Sequence, residues 1–246
     1  MLAHATNRFK LSFLRGWAPA LLLVLAWLGG RLTAAAETAD VSAVQTNLPL
    51  KQIGPGVFEM GRVRLDKTLH TVSFPAWLNL NDGAVEYLLV TNSGKTHESL
   101  LRTDIQPVHI HLAMLLLGAK GAQTNDYPEG PAALIPGDVI TLEVSWAARG
   151  KKKPRRAEEL VFNRRTRSAA SLGPWTYNGS RTFEGTFIAQ RDGSIVSLIA
   201  DGDALINNPR AGRENDENWQ VNTADLPALN SLVQVTIRLE KEKAKP

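Results

Sequence analysis

Six side chains in this sequence have the types and spacing to do chemistry. His97, Glu98 and Ser99 are consecutive, His109 and His111 follow about a dozen residues later, and Asp201 lies far downstream. Imidazole and carboxylate are the ligands that Zn²⁺ and related divalent metals accept where thiolates are absent, and a catalytic centre takes three of them with a fourth position open to water. His109 and His111 are two residues apart, so on a helix they point about 200° from one another, and only one can join His97. His111 lies further into an apolar run and is the better candidate, which makes His97, His111 and Asp201 a candidate metal set. Without a metal, His97 or His111 can act as base for Ser99, or Glu98 can exchange protons with an imidazole. A plainer reading competes: the histidines are buried polar groups satisfied by hydrogen bonds, and Ser99 bonds to its local backbone. On a strand His97 and Glu98 face opposite sides, which weakens a pairing drawn from adjacency alone.

Familiar motifs fail on inspection. Gly94, Lys95 and Thr96 resemble the end of a phosphate-binding loop, but the position of its first glycine is Leu89. His97 and Glu98 begin a zinc-protease helix whose second histidine falls on Leu101. Asp201, Gly202 and Asp203 start a calcium loop whose required glycine is Ile206. No Gly-x-Ser-x-Gly elbow is present. Trp175 and Tyr177 offer rings for stacking on a sugar or base, with core filling the stronger reading. The cations Arg149, Lys151, Lys152, Lys153, Arg155 and Arg156 could bind a polyanion, but a charge run between two ordered elements usually forms a solvated hairpin tip.

The elements that must position these groups are mostly strands. Residues 57–65, 69–74, 84–90, 138–147 and 232–239 alternate or run apolar as strands do. Asn81, Asp82 and Gly83, and again Asp192 and Gly193, are hairpin signals, while Pro75 marks a strand end or bulge. Pro107 opens a helix that is apolar on nearly every face and that Gly118 or Gly121 can end. Together these predict an α+β fold: a single, predominantly antiparallel β domain with one buried apolar helix at about residues 107–119.

Residues 1–36 have the form of a secretory signal, with Arg8, Lys10 and Arg15 leading an apolar stretch and small residues up to Ala36. The expected organisation is a signal peptide at 1–36, a linker or arm at 37–56, the domain at 57–239 and a charged tail at 240–246. The leader holds four of the 28 Lys and Arg and none of the 24 acids, so the exported chain carries 24 of each. That balance argues against nucleic acid or an anionic membrane as partner. With no cysteine, disulfides, thiol catalysis and Cys-ligated iron–sulfur clusters are excluded.

Phe74, Pro75, Ala76 and Asn79, then Glu86-Tyr87-Leu88-Leu89-Val90, then Gly94-Lys95-x-His97-Glu98-Ser99-Leu100-Leu101, and Pro107 with the His111-bearing helix up to Gly118 resemble the YdjY-type domain of exported bacterial proteins. Trp175, Tyr177, Gly179, Asp201 and Trp219 continue the likeness over nearly all of the exported chain. The family is sometimes labelled ferredoxin-like, and some proteins with such domains carry cysteine-rich iron–sulfur motifs, which this cysteine-free chain cannot use. His97, Glu98, Ser99, His111 and Asp201 match the family's pattern, and His109 has no place in it. The resemblance brings no activity with it. It implies an exported compartment and a domain identity. The leading reading of the chain is a soluble, exported, single-domain binding or envelope-assembly module without catalysis of its own, whose partner is an exported protein or small ligand. The alternative is a hydrolase, metal-dependent or acid/base, centred on His97, Glu98 and His111.

Overall fold

The computed structural model describes residues 49–123, 135–148 and 151–241, without the side chains of residues 148 and 151–153. The chain divides into two units, Met1–Ala43 and Val44–Pro246, and everything described belongs to the second. The expected signal segment, most of the expected arm, the end of the charged tail and Arg149 of the basic run lie outside the described residues.

A meander of β1 (Leu50–Gly54), β2 (Val57–Met60) and β3 (Val63–Asp66) opens the fold. Then come β4 (Thr71–Leu78), β5 (Tyr87–Thr91), β6 (Ser99–Thr103) and the helix α1 (Pro107–Leu117). A long antiparallel pair, β7 (Asp138–Ala148) and β8 (Lys151–Arg156), is followed by five short strands. These are β9 (Val161–Asn163), β10 (Ser168–Ala169), β11 (Trp175–Tyr177), β12 (Thr182–Phe183) and β13 (Thr186–Phe187). The short helix α2 (Ile188–Asp192) leads to β14 (Ser194–Ser197), β15 (Ile206–Asn207), β16 (Trp219–Val221) and β17 (Leu232–Leu239).

Eight strands close on themselves, in the order β4, β17, β7, β11, β15, β14, β5, β6 and back to β4. Within this ring only β14 with β15 and β5 with β6 are parallel. The fold is a closed β-barrel with two helices, which corrects the expected α+β domain built around a buried helix. Periodicity identifies strands one by one, whereas closure depends on which edges meet. The deciding strand is β4: one edge pairs with β17, while the other pairs with β3 at its start and β6 at its end. Pro75 sits between those two partners, where a missing N–H breaks no ladder bond. The Thr103 hydroxyl donates to its carbonyl at 2.7 Å.

An eight-stranded barrel is just wide enough for side chains to fill it. Val72, Phe74 and Ala76 of β4, Ile140, Leu142 and Val144 of β7, and Val233, Val235 and Ile237 of β17 are all buried. Their strand neighbours Ser73, Pro75, Glu143 and Gln234 are more exposed, so each strand turns one face inward.

The helix forms where its signals lie, with Pro107 in the first turn and Gly118 ending it at φ 98°. It is not buried on most sides. It packs against β3, β4 and α2 through Ile110, Ala113 and Met114, leaving Leu115 and Leu116 43% and 42% exposed. A segment apolar all round carries no periodic record of which face goes inward. The hairpin signals also resolve differently. β4 and β5, on either side of Gly83, both pair with β6 rather than with each other. Gly193, at φ 70°, ends α2 instead of turning a hairpin, since one left-handed preference serves both roles. No helix among the described residues is long and apolar enough to cross a membrane.

Candidate functional site

In β11 both Trp175 and Tyr177 are buried, so core filling is their main work. A buried phenol still needs a hydrogen-bond partner. Tyr177 finds it in His111 of α1, with its hydroxyl 2.7 Å from Nδ1. Burial, with the charge of Asp138 adding to it, holds the Tyr177 phenol above the usual range, so it keeps its proton. Burial lowers the His111 imidazole below its ordinary value, so that ring is neutral near pH 7. With its proton retained and His111 Nδ1 its hydrogen-bond partner among the described residues, the buried phenol is assigned as donor to Nδ1. The imidazole proton then resides on Nε2.

His111 lines a pocket of about 400 Å³ with Lys120, Gly121, Gln123, Asn178, Gly179, Ser180, Arg181 and Phe187 among its neighbours. Phe187 lies 5.0 Å from the imidazole, centroid to centroid. Gly179 has φ 80°, and a Cβ there would come within 3.3 Å of His111 Cε1 and 3.5 Å of Nδ1. That edge of the ring is therefore covered, and Nε2–H is the polar atom His111 has left to offer.

The wall opposite the helix in sequence is stitched to the 201–204 loop. Asn178 Nδ2 donates to the carbonyls of Gly202 and Ala204 at 3.2 and 2.8 Å, and Asn207 Nδ2 donates to Asn178 Oδ1 at 2.9 Å. Ser180 Oγ donates to the Asp203 carbonyl at 2.6 Å, while Arg181 Nε donates to Asp203 Oδ1 at 2.5 Å. Asn178 and Asn207 are buried, and a satisfied buried network of this kind rigidifies what it holds.

The structure divides the expected site residues between two places. His97 is largely exposed and lies 3.5 Å from Glu98, which also meets Lys95 at 3.4 Å. Lys95 Nζ donates to the Tyr87 hydroxyl at 3.2 Å, and that hydroxyl donates to Asp201 Oδ2 at 3.0 Å. One chain of contacts thus joins His97, Glu98 and Asp201 through Lys95 and Tyr87. Burial, then the Asp201 charge, pushes the Tyr87 phenol up to about 12. Burial works against the Lys95 ammonium, but Tyr87 and Glu98 outweigh it and leave it above its ordinary value. The Asp201 carboxyl is raised by burial, with hydrogen bonds from the Asp203 amide and Tyr87 opposing. Glu86 is raised by burial and by the charge of Glu98.

Ser99 is fully buried, and its hydroxyl donates to the Lys95 carbonyl at 2.6 Å, closing the turn that carries His97. His109, not His111, is the more buried of that pair, and its Nε2 has no partner among the described residues. The partners of His111 are Tyr177 and Phe187, and those of His97 are on the Lys95 turn. Among the described residues no three His, Asp or Glu side chains are grouped as a metal would require. What the two places share is the 201–204 loop, which bonds to Tyr87 through Asp201 and to Arg181 through Asp203.

Sequence reasoning missed Lys95 and Tyr87 as the link, and Lys120, Asn178 and Arg181 as site residues. An Asn followed by Gly, as at Asn178 and Gly179 beside Trp175 and Tyr177, is a turn signal, and a polar-tipped Tyr in a core strand is itself a request for a partner. Nothing local announces that the partner is His111, 66 residues earlier.

The YdjY domain model matches residues 63–238. No curated protein and no solved structure matches the chain.

Proposed function

The chain belongs to the YdjY domain family, and we propose that it is an exported binding module that seats a small anionic ligand in the pocket beside His111. The observation that carries this reading is the lining of that pocket: Lys120 and Arg181 supply two cations, and among the described residues no carboxylate lines it, Asp138 being held behind the wall by the Lys120 and Gly121 amides at 2.7 Å. Asp203 orients the Arg181 guanidinium and offsets part of its charge, while the neutral Nε2–H of His111 adds a donor. A few placed polar groups around a volume of some 300 to 1,000 Å³ are the usual make-up of a small-molecule site. Binding is favoured over catalysis by proton placement. The Nδ1 lone pair of His111 is committed to Tyr177, so the ring presents a donor rather than a base, and the Ser99 proton is spent on a carbonyl. The basic leader and the small residues before position 37 support export to the periplasm or beyond. A carboxylate displayed by an exported protein fits the same chemistry.

The test is an imidazole nitrogen NMR titration of the full chain with malonate, beside uncharged malonamide. A saturable shift of one imidazole with malonate is expected, absent in His111→Asn and weakened in Lys120→Ala. No saturable response to malonate, or an equal response to malonamide, refutes the anion seat.

A further inference from the structure

A second concave region lies on the outer face of the barrel wall. Residues that turn away from the core stand side by side in register across three strands: Pro75 on β4, Gln234 on β17 and Ser145 on β7. Ser73 lies two residues before Pro75, and Ala147 two after Ser145. Apart from Gln234 these side chains are short, and the wall dips into a trough of about 650 Å³ that Leu232 and Trp146 also line. Leu232 is 61% exposed, an apolar side chain with nothing over it.

One rim of the trough carries two arginines and a glutamate. Arg62 and Arg64 line one side. Arg62 is occupied, ion-paired with Asp104 and stacked over the Trp77 ring. Arg64 has no hydrogen-bond or ion-pair partner among the described residues, although Glu59 stands opposite it on β2 and also lines the trough. On the other side the sheet continues into β8, where Pro154 stands opposite Ser145 and Lys152 opposite Ala147.

Both edges of β17 are paired, to β4 and β7, and β8 covers the neighbouring stretch of β7. An extended peptide would find no free backbone ladder to join along the trough floor. Recognition there must come from apolar contact and charge. We propose that this trough binds a monomeric anionic amphiphile, its hydrocarbon chain lying over Pro75, Ser145 and Leu232 and its carboxylate meeting Arg64. This site is separate from the His111 pocket and does not depend on the reading given for that pocket.

The experiment is isothermal titration calorimetry of the full chain with octanoate, decanoate and dodecanoate below their micelle concentrations, and with the uncharged octyl glucoside. Contact with Pro75, Ala147 and Leu232 predicts an affinity gain of about two- to fourfold per added methylene. Arg64→Gln is expected to weaken decanoate about tenfold and leave octyl glucoside unchanged. Leu232→Glu, at an exposed position at the start of β17, is expected to abolish binding of all three fatty anions. Absence of binding by any of the three overturns the proposal, as does binding that neither substitution alters. A concentration-dependent dimer that buries Leu232 and excludes decanoate also overturns it, by giving the face to a second copy of the chain. Capture of the protein by phosphatidylglycerol vesicles without binding of monomeric decanoate assigns the surface to a membrane and overturns it as well.

Discussion

Replacing Glu158 by Gln should destabilise the domain more than any surface substitution. Glu158 is fully buried, and its Oε1 accepts from Arg156 Nη2 at 2.7 Å, Arg210 Nη2 at 2.9 Å and the Gly173 amide at 3.0 Å. Both guanidiniums also donate to the Gly173 carbonyl, and Arg210 reaches the Ser171 carbonyl at 2.6 Å. The group clamps the segment that feeds β11, and the Arg210 guanidinium lies 5.0 Å from the centre of the Trp175 ring. Arg210 is only 10% exposed, against 30% for Arg156, so Arg156 can turn to water once the carboxylate is gone and Arg210 cannot. Leaving a buried charge without its counter-ion costs about 3 to 5 kcal/mol, a large share of the roughly 5 to 15 kcal/mol that holds a domain folded. At about 2 to 4 °C per kcal/mol for a chain of this size, the melting temperature should fall by roughly 6 to 20 °C. Urea melts followed by tryptophan fluorescence, with thermal melts by circular dichroism, measure it. Adding Arg210→Met to Glu158→Met should recover most of the loss, because the pair is then replaced by apolar side chains of similar volume. Arg191→Gln, at an exposed pair with Asp192, serves as a control that leaves the melt in place. A Glu158→Gln protein within about 1 kcal/mol of the parent, or a double variant that simply sums two losses, would falsify this account of the cluster.

Three further outcomes follow from the same geometry. The His111 imidazole is held below its ordinary value by burial, so on acidification through about pH 6.5 the unfolded chain takes up a proton that the folded chain refuses. Stability should drop by at most about 1.4 kcal/mol per pH unit in that window, and urea melts between pH 7.5 and 5 should show the slope in the parent but not in His111→Gln. Asp201 and Glu86, raised by burial, act with the opposite sign, returning stability as pH falls through their folded values. Gly179→Ala puts a Cβ at a left-handed φ of 80° and within 3.3 Å of His111. About 1 to 2 kcal/mol of lost stability should come with a shifted His111 nitrogen resonance, and an unmoved resonance rejects the contact. Tyr87→Phe removes the hydroxyl that bridges Lys95 and Asp201 and should cost about 1 to 3 kcal/mol. A denaturation midpoint equal to the parent's would show that the bridge is not maintained in solution.

What the sequence by itself determined is local. Alternation placed β7 and β17, proline and glycine bounded α1, and the family likeness rested on runs such as His97 to Leu101 that keep their order whatever the fold. Residue type also predicted that Trp175 would be core. Tertiary structure decided the rest, because it depends on partners distant in the chain. Closure of the barrel turns on β4 exchanging β3 for β6 at Pro75, a choice of edge that no period encodes. The exposure of Leu115 and Leu116 was set by what α1 found to lie against. His97, Glu98 and His111 look like one constellation in sequence because they are close along the chain. The fold instead pairs His111 with Tyr177 and joins Glu98 to Asp201 through Lys95 and Tyr87. Hydrogen bonds are made by atoms within about 3 Å of each other, and in a closed sheet that nearness comes from strand order rather than from separation along the chain.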